Sequence, residues 1–593
     1  MKLKNLKGYQ VHKLVLVSIL FLATACSDIL QEEPKAVLTP AFFKTEEGLR
    51  GGIIAAYSYL RFAYGPEGPH NLSVYGTDEF TNGNQVANPP FNNYLNLLPT
   101  LGEILTPWNR AYPAINTCNG VIEFGTSENM TETQRRLVAE AKYLRAHWYF
   151  ILVRTFGGVT LDLGSGDLKF NENPDNKFSR ATLAETYQAI INDLIDAVND
   201  LPQTRPAPGR AWKATALHTL AKVYLQRAST EAAQPGDYQA ALNNAQELIQ
   251  NAAGYGVALM SDFADVHREG NDDNAEILFS VQQSSNPIFS NIQGFGAPQE
   301  IDLQQNKSNF FFRCFYENAS NVLERNVRDG RPWIRFKPTE YLLHEAFNNK
   351  TIDSRYSKTF QDVWLATNAN PALYPVWSAA EAAQGIIDPS MVGTQKFQQG
   401  DTCVYMPPSH VTLSPFQMAR YRVFTPQEVA SQKQFFPSMK KFNAVERPQP
   451  GTETDPNVTS YRPYQVYRFA ETYLVAAEAA FRLGNSGLAA EYINVIRRRA
   501  AFPGMESQME ITPAQVSIDF ILDERSREHA GEQMRWFDLV RTGRLIDRVR
   551  QHNPDAVGIQ SFHVLRPIPQ GFIDLAVDPS QSNQRYPQNP GYN

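Results

Sequence analysis

The sequence predicts a mainly α-helical protein, a scaffold of paired helical repeats interrupted by an irregular, loop-rich insertion that carries short β-hairpins. Three observations predict it. Apolar residues recur at helical spacing in segments 46–62, 108–125, 133–156, 182–200, 212–229 and 237–252, and again in 466–483, 487–500 and 513–530. Within several of these segments, small residues stand at the fixed offsets that let two helices approach closely. Between the two groups, residues 255–460 lose the period and fill with Phe, Tyr, Asn, Pro and Gly. Only short strand-like pieces such as Glu276-Ile277-Leu278-Phe279-Ser280-Val281 interrupt them.

Taken in chain order, the first element is an address. Lys2, Lys4, Lys7 and Lys13 precede an apolar run from Val15 to Ala25 that stops at Cys26. A basic start, a short apolar core and small residues before a break describe a secretory signal, too short for a stable membrane span. Leu22-Ala23-Thr24-Ala25-Cys26 has the form of a bacterial lipoprotein box. Residues 1–25 are then removed, Cys26 carries the lipid, and several acyl chains hold the protein on a membrane. Residues 26–45, with Gln31-Glu32-Glu33-Pro34, form a polar tether. The body is 46–593, with helical scaffold at 46–254 and 461–550. Ligand-binding loops are expected at about 255–460 together with loop 70–100.

The repeat shows in three places. Leu217, Leu220, Ala221 and Tyr224 fit a first helix, with Ala241, Ala245 and Leu248 on its partner. Tyr473, Ala476, Ala477 and Ala480 repeat the pattern, followed by Ala489, Ile493 and Ile496. Ile190, Leu194 and Ala197, closed by Pro202, mark another second helix whose partner is 133–156. These are the offsets of tetratricopeptide units.

Composition excludes several functions. The chain has 593 residues, 20% charged and 42% hydrophobic, with a formal net charge of −6, which gives no footprint for a nucleic-acid backbone. Cys118, Cys314 and Cys403 are widely spaced, contain no C-x-x-C pair and read as small buried hydrophobes without a disulfide. His344-Glu345 lacks the second histidine of a zinc helix, because Asn348 stands there. No Gly-Lys-Ser or Gly-Lys-Thr occurs, and Gly164-Ser165-Gly166 is too compressed for a nucleophile elbow. Glu524, Glu528 and Glu532 recur every four residues, as an acid/base ladder would. Interleaved Arg525, Arg527 and Arg535 make a charged helix face the simpler account. Asp272-Asp273 offers oxygens to a structural Ca²⁺ but lacks the alternating pattern of a ligand loop, so no metal and no cofactor is expected.

The order of blocks along the chain resembles the SusD/RagB family, surface lipoproteins of Bacteroidetes that capture nutrients. The resemblance is carried by the cysteine lipobox with Leu30-Gln31-Glu32-Glu33-Pro34, the helix from Ala139 to Val159, and Gly209-Arg210-Ala211 before Ala221-Lys222-Val223-Tyr224-Leu225. Further blocks are Asn274 to Phe279, Tyr467 to Ala479, Glu524 to Leu545, Pro567-Ile568-Pro569 and Gln588-Asn589-Pro590-Gly591-Tyr592. Ala500-Ala501 stands where the family often has Ala-Gly. The resemblance implies four tetratricopeptide-like helix pairs and no catalysis. It also implies anchorage in the outer membrane facing outward, and a SusC-type TonB-dependent transporter as partner, met on the repeat face.

Its ligand is expected to be an oligosaccharide or polysaccharide fragment. Alternatives are peptide cargo in the same lid role, as in the RagB branch, and a surface-anchored helical glycoside hydrolase. Sugar rings need aromatic platforms for their C–H faces and polar side chains for their hydroxyls. Trp108, Trp148, Trp212 and Trp536 lie at helical spacing and read as core; Trp333 and Trp364 are also more readily core than platform. The ligand residues expected are Tyr75, Asp78, Phe80, Asn82 and Tyr94 in the first loop, Phe295, Phe311 and Arg313 in the second, and Tyr374 with Trp377 in the third.

Overall fold

The computed structural model describes residues 42–86, 88–164, 176–284, 303–447, 451–578 and 584–592. Twelve helices give the frame: α1 (Glu46–Tyr59), α2 (Glu67–Ser73), α3 (Gly102–Gly125), α4 (Glu132–Phe156), α5 (Leu183–Asp200), α6 (Lys213–Arg227), α7 (Asp237–Gln250), α8 (Phe469–Arg482), α9 (Ser486–Ala500), α10 (Ile518–His529), α11 (Arg535–Arg541) and α12 (Leu545–His552). Several starts are written in the sequence. Thr131 and Thr182 each cap a helix reciprocally with Gln134 and Glu185, three residues on, satisfying backbone N–H groups that have no intrahelical acceptor. Helix α3 runs through Pro107 and Pro113, neither of which can donate an intrahelical N–H bond.

The pairs α1/α3, α4/α5, α6/α7 and α8/α9 pack side by side, and each pair packs on the next. The predicted offsets make these seams. Ala221, Ala241, Ala245, Ala476, Ala477, Ala480, Ala489 and Ile493 are all fully buried in one cluster. With methyl groups at the crossing, backbones approach closely, and a larger side chain there would overpack. Trp108, Trp148, Trp212 and Trp536 are core, as expected. Cys118, Cys314 and Cys403 are free, buried thiols.

The insertion between α7 and α8 is rooted by a ladder. Strand β2 (Ile277–Val281) pairs antiparallel with β7 (Tyr464–Arg468), and Phe469 N donates to Glu276 O at 2.8 Å where α8 resumes. Residues 466–468, which carry helical periodicity, therefore belong to a strand; Tyr464, Val466 and Tyr467 pack in the core. Other ladders of the insertion are β1 (Phe80–Asn82) with β3 (Phe336–Pro338), β4 (Val363–Leu365) with β5 (Thr402–Tyr405) and β6 (Arg422–Val423), and the short pair Phe360–Gln361 with Ser438–Met439. None is the local hairpin expected. Without a tight-turn signal between neighbouring strands, the backbone groups of these segments find partners far along the chain.

Helix α10 corrects the reading of a charged helix face. Glu524, Glu528 and Glu532 are buried, and most of their cations come from elsewhere. Glu524 meets Arg355 (2.8 Å) and Arg497 (2.8 Å), Glu528 meets Arg468 (3.1 Å) and Arg499 (2.5 Å), and Glu532 meets Arg468 (2.9 Å) and Lys441 (2.9 Å). Burial alone would raise these carboxyls, but the guanidinium and ammonium groups hold all three well below the usual carboxylate range. The network ties α10 to β2, β7, α9 and the insertion.

Candidate functional site

The two regions expected to bind ligand come together. β1 pairs with β3, so loop 82–86 lies against segment 333–335: Gly83 N donates to Arg335 O at 2.8 Å and Gln85 N to Ile334 O at 3.2 Å. On the other side, Trp333 N reaches Phe310 O (3.2 Å), Ile334 N reaches Arg313 O (3.1 Å) and Arg335 N reaches Phe311 O (3.1 Å). This clamp holds Ile334 at φ +50°, an uncommon conformation for a β-branched residue and one that the surrounding bonds must sustain. Gly83 is required: a Cβ there would lie 2.0 Å from the Ile334 carbonyl oxygen.

Most residues expected to touch ligand are the foundation beneath this clamp. Tyr75 and Phe80 are fully buried against Phe336 (5.2 Å) and Phe312 (5.1 Å), and the Tyr75 hydroxyl donates to Asn82 Oδ1. Phe311 packs on His70 (5.1 Å) and Phe336 (5.5 Å). Asp78 accepts from Arg535 (2.7 and 2.6 Å) and Arg548 (2.8 Å); burial opposes its charge, yet the two guanidiniums hold its pKa down at about 2. Arg313, buried, donates to Asn309 O (3.2 Å) and to Asn443 Oδ1. Tyr94 is buried, and its hydroxyl donates to Gly76 O at 2.8 Å. Tyr374 and Trp377 form a separate packed unit, Tyr374 on Phe397 (5.7 Å) and Trp377 stacked on Phe416 (5.1 Å). These side chains are committed to packing because a long ordered loop must carry its own apolar core. Of the set, Asn82 alone is only half-buried; Phe295 and Cys26 lie outside the described residues.

Beside loop 82–86, Trp333 is half-buried, with its ring against Phe310 (5.3 Å) and Phe311 (5.6 Å). Arg335 and Arg331 lie 5.3 and 5.9 Å from its centroid, and Arg335 is fixed by Glu67 (2.8 Å) and Gln85 O (3.1 Å). Asn84 and Gln85 are exposed on the adjoining loop. The arrangement offers a rigid aromatic edge beside amide and guanidinium groups. The signal in the sequence was Arg331-Pro332-Trp333-Ile334-Arg335: two arginines bracketing a tryptophan resist full burial.

Glu79, which leads into β1, is buried and accepts from Ser526 Oγ at 2.8 Å, with Arg535 at 3.5 Å. Burial outweighs Arg535, Asp78 adds to it, and the carboxyl is pushed up to about 7 from 4.5. The folded state therefore holds a proton that the unfolded chain releases, so this group's contribution falls as pH rises from 4.5 to about 7. E79Q is expected to stabilise the protein at pH 7.5 by roughly 1–3 kcal/mol and to flatten that slope, read by urea unfolding across this range.

No group of His, Cys, Asp and Glu suited to a metal ion occurs among the described residues, and none of their helices is long and apolar enough to cross a membrane. The fold and site define a class: a helical-repeat protein with tetratricopeptide-like pairs and a long insertion that presents an aromatic edge. The chain belongs to the SusD/RagB family. Residues 421–592 match the family model described as SusD family, and residues 51–225 the model described as starch-binding associating with outer membrane. Among relatives, SusD-like protein P25 of Formosa agariphila is 24% identical, with 98% of each chain covered. A SusD-like protein of Bacteroides ovatus is 29% identical over 45% of this chain and 49% of that one. Among solved structures, a laminarin binding SusD-like protein aligns with TM-score 0.62 at 23% identity, covering 92% of this chain and 99% of that one. Surface glycan-binding protein A from Bacteroides thetaiotaomicron, in complex with laminarihexaose, aligns at 0.58 with 20% identity and the same coverages. These structural likenesses establish the shared fold.

Proposed function

We propose that the protein is a surface lipoprotein that captures oligosaccharide at Trp333 and delivers it to a SusC-type TonB-dependent transporter in the outer membrane, without a chemical step. The observation that carries the reading is the clamped Trp333 edge between the polar 82–86 loop and two arginines. Family membership and relatives named for laminarin and laminarihexaose support a glycan as cargo. Release to a transporter needs only modest affinity, which a few stacking and hydroxyl contacts supply. Calorimetry with β-glucan oligosaccharides and, separately, a peptide pool tests the cargo. Binding of a glycan is expected; binding of peptides alone would overturn it.

The lipobox at Cys26 supports the anchor, and the family description naming the outer membrane supports the location. C26S is expected to move the protein from the membrane fraction to the soluble fraction and to abolish incorporation of a fatty-acid probe. Unchanged fractionation would refute the anchor. Co-purification of a barrel transporter with the wild-type protein tests the partner.

A further inference from the structure

Away from Trp333, a pocket opens between α2, the first turns of α3, the last turns of α4, and α11. Its enclosed part measures about 50 Å³, room for an end group but not for a sugar ring. Leu72, Ile151 and Phe537 give it an apolar wall. Arg154 lies in that wall, half-buried, its guanidinium sandwiched 4.1 Å over Phe150 and 4.3 Å over Phe537. Its Nε donates to Phe150 O at 3.1 Å. Among the described residues neither Nη nitrogen has a hydrogen bond, and no carboxylate lies within 4.0 Å.

Several more deeply buried arginines differ: Arg145, Arg355, Arg468, Arg525 and Arg535 each hold a carboxylate at 2.6–2.8 Å. The pocket's other polar side chains are committed. Ser73, Thr106 and Thr155 donate to carbonyls of their own helices, and the Tyr64 hydroxyl pairs with His147 (2.9 Å). Gln533 bridges Gly65 N and Ala63 O. The one acid, Glu103, accepts from Asn71 (3.2 Å) and Asn88 (2.9 Å). Arg154 thus lines an apolar pocket of end-group size with two Nη nitrogens that hold no hydrogen bond among the described residues, and there a carboxylate would gain a forked, charge-assisted bond while its stem covered apolar wall.

We propose that this pocket binds a carboxylate end group carried on a short apolar stem, with Arg154 taking the carboxylate. The site is independent of the glycan reading, because it shares no residue with the Trp333 clamp.

Butyrate and butyramide have nearly the same shape and differ in charge, so they serve as the probe pair. Each is titrated into the purified protein and followed by saturation-transfer NMR at its methyl group. Butyrate is expected to bind at least tenfold more tightly than butyramide. That ratio is expected to fall toward one in R154Q, to survive in part in R154K, and to rise in E103Q, which removes the competing negative charge. Thermal melts identify a variant that does not fold; for R154Q in that case, the E103Q and salt arms carry the test, since 0.5 M NaCl should weaken butyrate and leave butyramide unchanged. W333A should leave the ratio untouched, which separates this site from glycan capture. Equal binding of the two probes, binding of neither, or an R154Q protein that is folded and keeps the wild-type ratio would overturn the proposal.

Discussion

R468M is expected to destabilise the protein by about 3–5 kcal/mol in urea unfolding, more than any other single replacement of an ion-pairing residue discussed above. Arg468 is fully buried at the end of β7 and donates to Glu276 (2.7 Å), Glu528 (3.1 Å), Glu532 (2.9 and 3.0 Å) and the Glu528 carbonyl oxygen (3.0 Å). Methionine fills much of the same volume, so the loss is not one of packing. It strands carboxylates in a site where water cannot replace the cation, and an uncompensated buried charge costs far more than a surface pair contributes. The exposed Arg50–Glu46 pair on α1 (2.7 Å) is the control: R50M should change stability by less than about 1 kcal/mol. The same network sets the acid limit. Glu524, Glu528 and Glu532 have folded pKa values below their ordinary 4.5, so their contribution is complete above that pH and is lost as pH falls below it. Stability that stayed level from pH 6 to pH 3 would contradict this account.

The scaffold was legible because its determinants are local. Ala476, Ala477 and Ala480 lie within two turns of one helix, and Thr131 and Gln134 cap within three residues, so periodicity and spacing display them. The network around α10 was not legible for the opposite reason. A carboxylate every four residues beside arginines has the same local pattern whether the helix faces water or protein. Only the arrival of Arg355, Arg468 and Arg499 from distant segments decides. The loops expected to bind ligand were only partly legible, for the same reason. Composition singled out loops that do meet, since β1 and β3 bring loop 82–86 to segment 333–335. It could not separate the aromatics that build the loop's core, Tyr75, Phe80 and Phe311, from the half-buried Trp333. Burial within a loop follows from long-range pairing, which the alternation of residue types does not encode.

W333A is expected to weaken glycan binding roughly 10- to 100-fold while leaving the melting temperature close to that of wild type. The ring is half-buried, so truncation opens a shallow surface notch over Phe310 and Phe311 and not a core cavity; the stability cost should be small. The binding cost should be large because the platform is already in place. Three backbone bonds to 310–313 and two to loop 82–86 fix the segment before any sugar arrives, so little ordering entropy offsets each stacking contact. G83A separates position from mere presence. Its added Cβ would meet the Ile334 carbonyl oxygen at 2.0 Å, forcing the clamp apart while leaving the tryptophan in the chain. If the held geometry matters, G83A should lose several-fold in affinity although every candidate contact residue remains. Should W333A bind β-glucan oligosaccharides as tightly as wild type by calorimetry, the aromatic edge is not the capture surface, and the ligand must be sought elsewhere on the insertion.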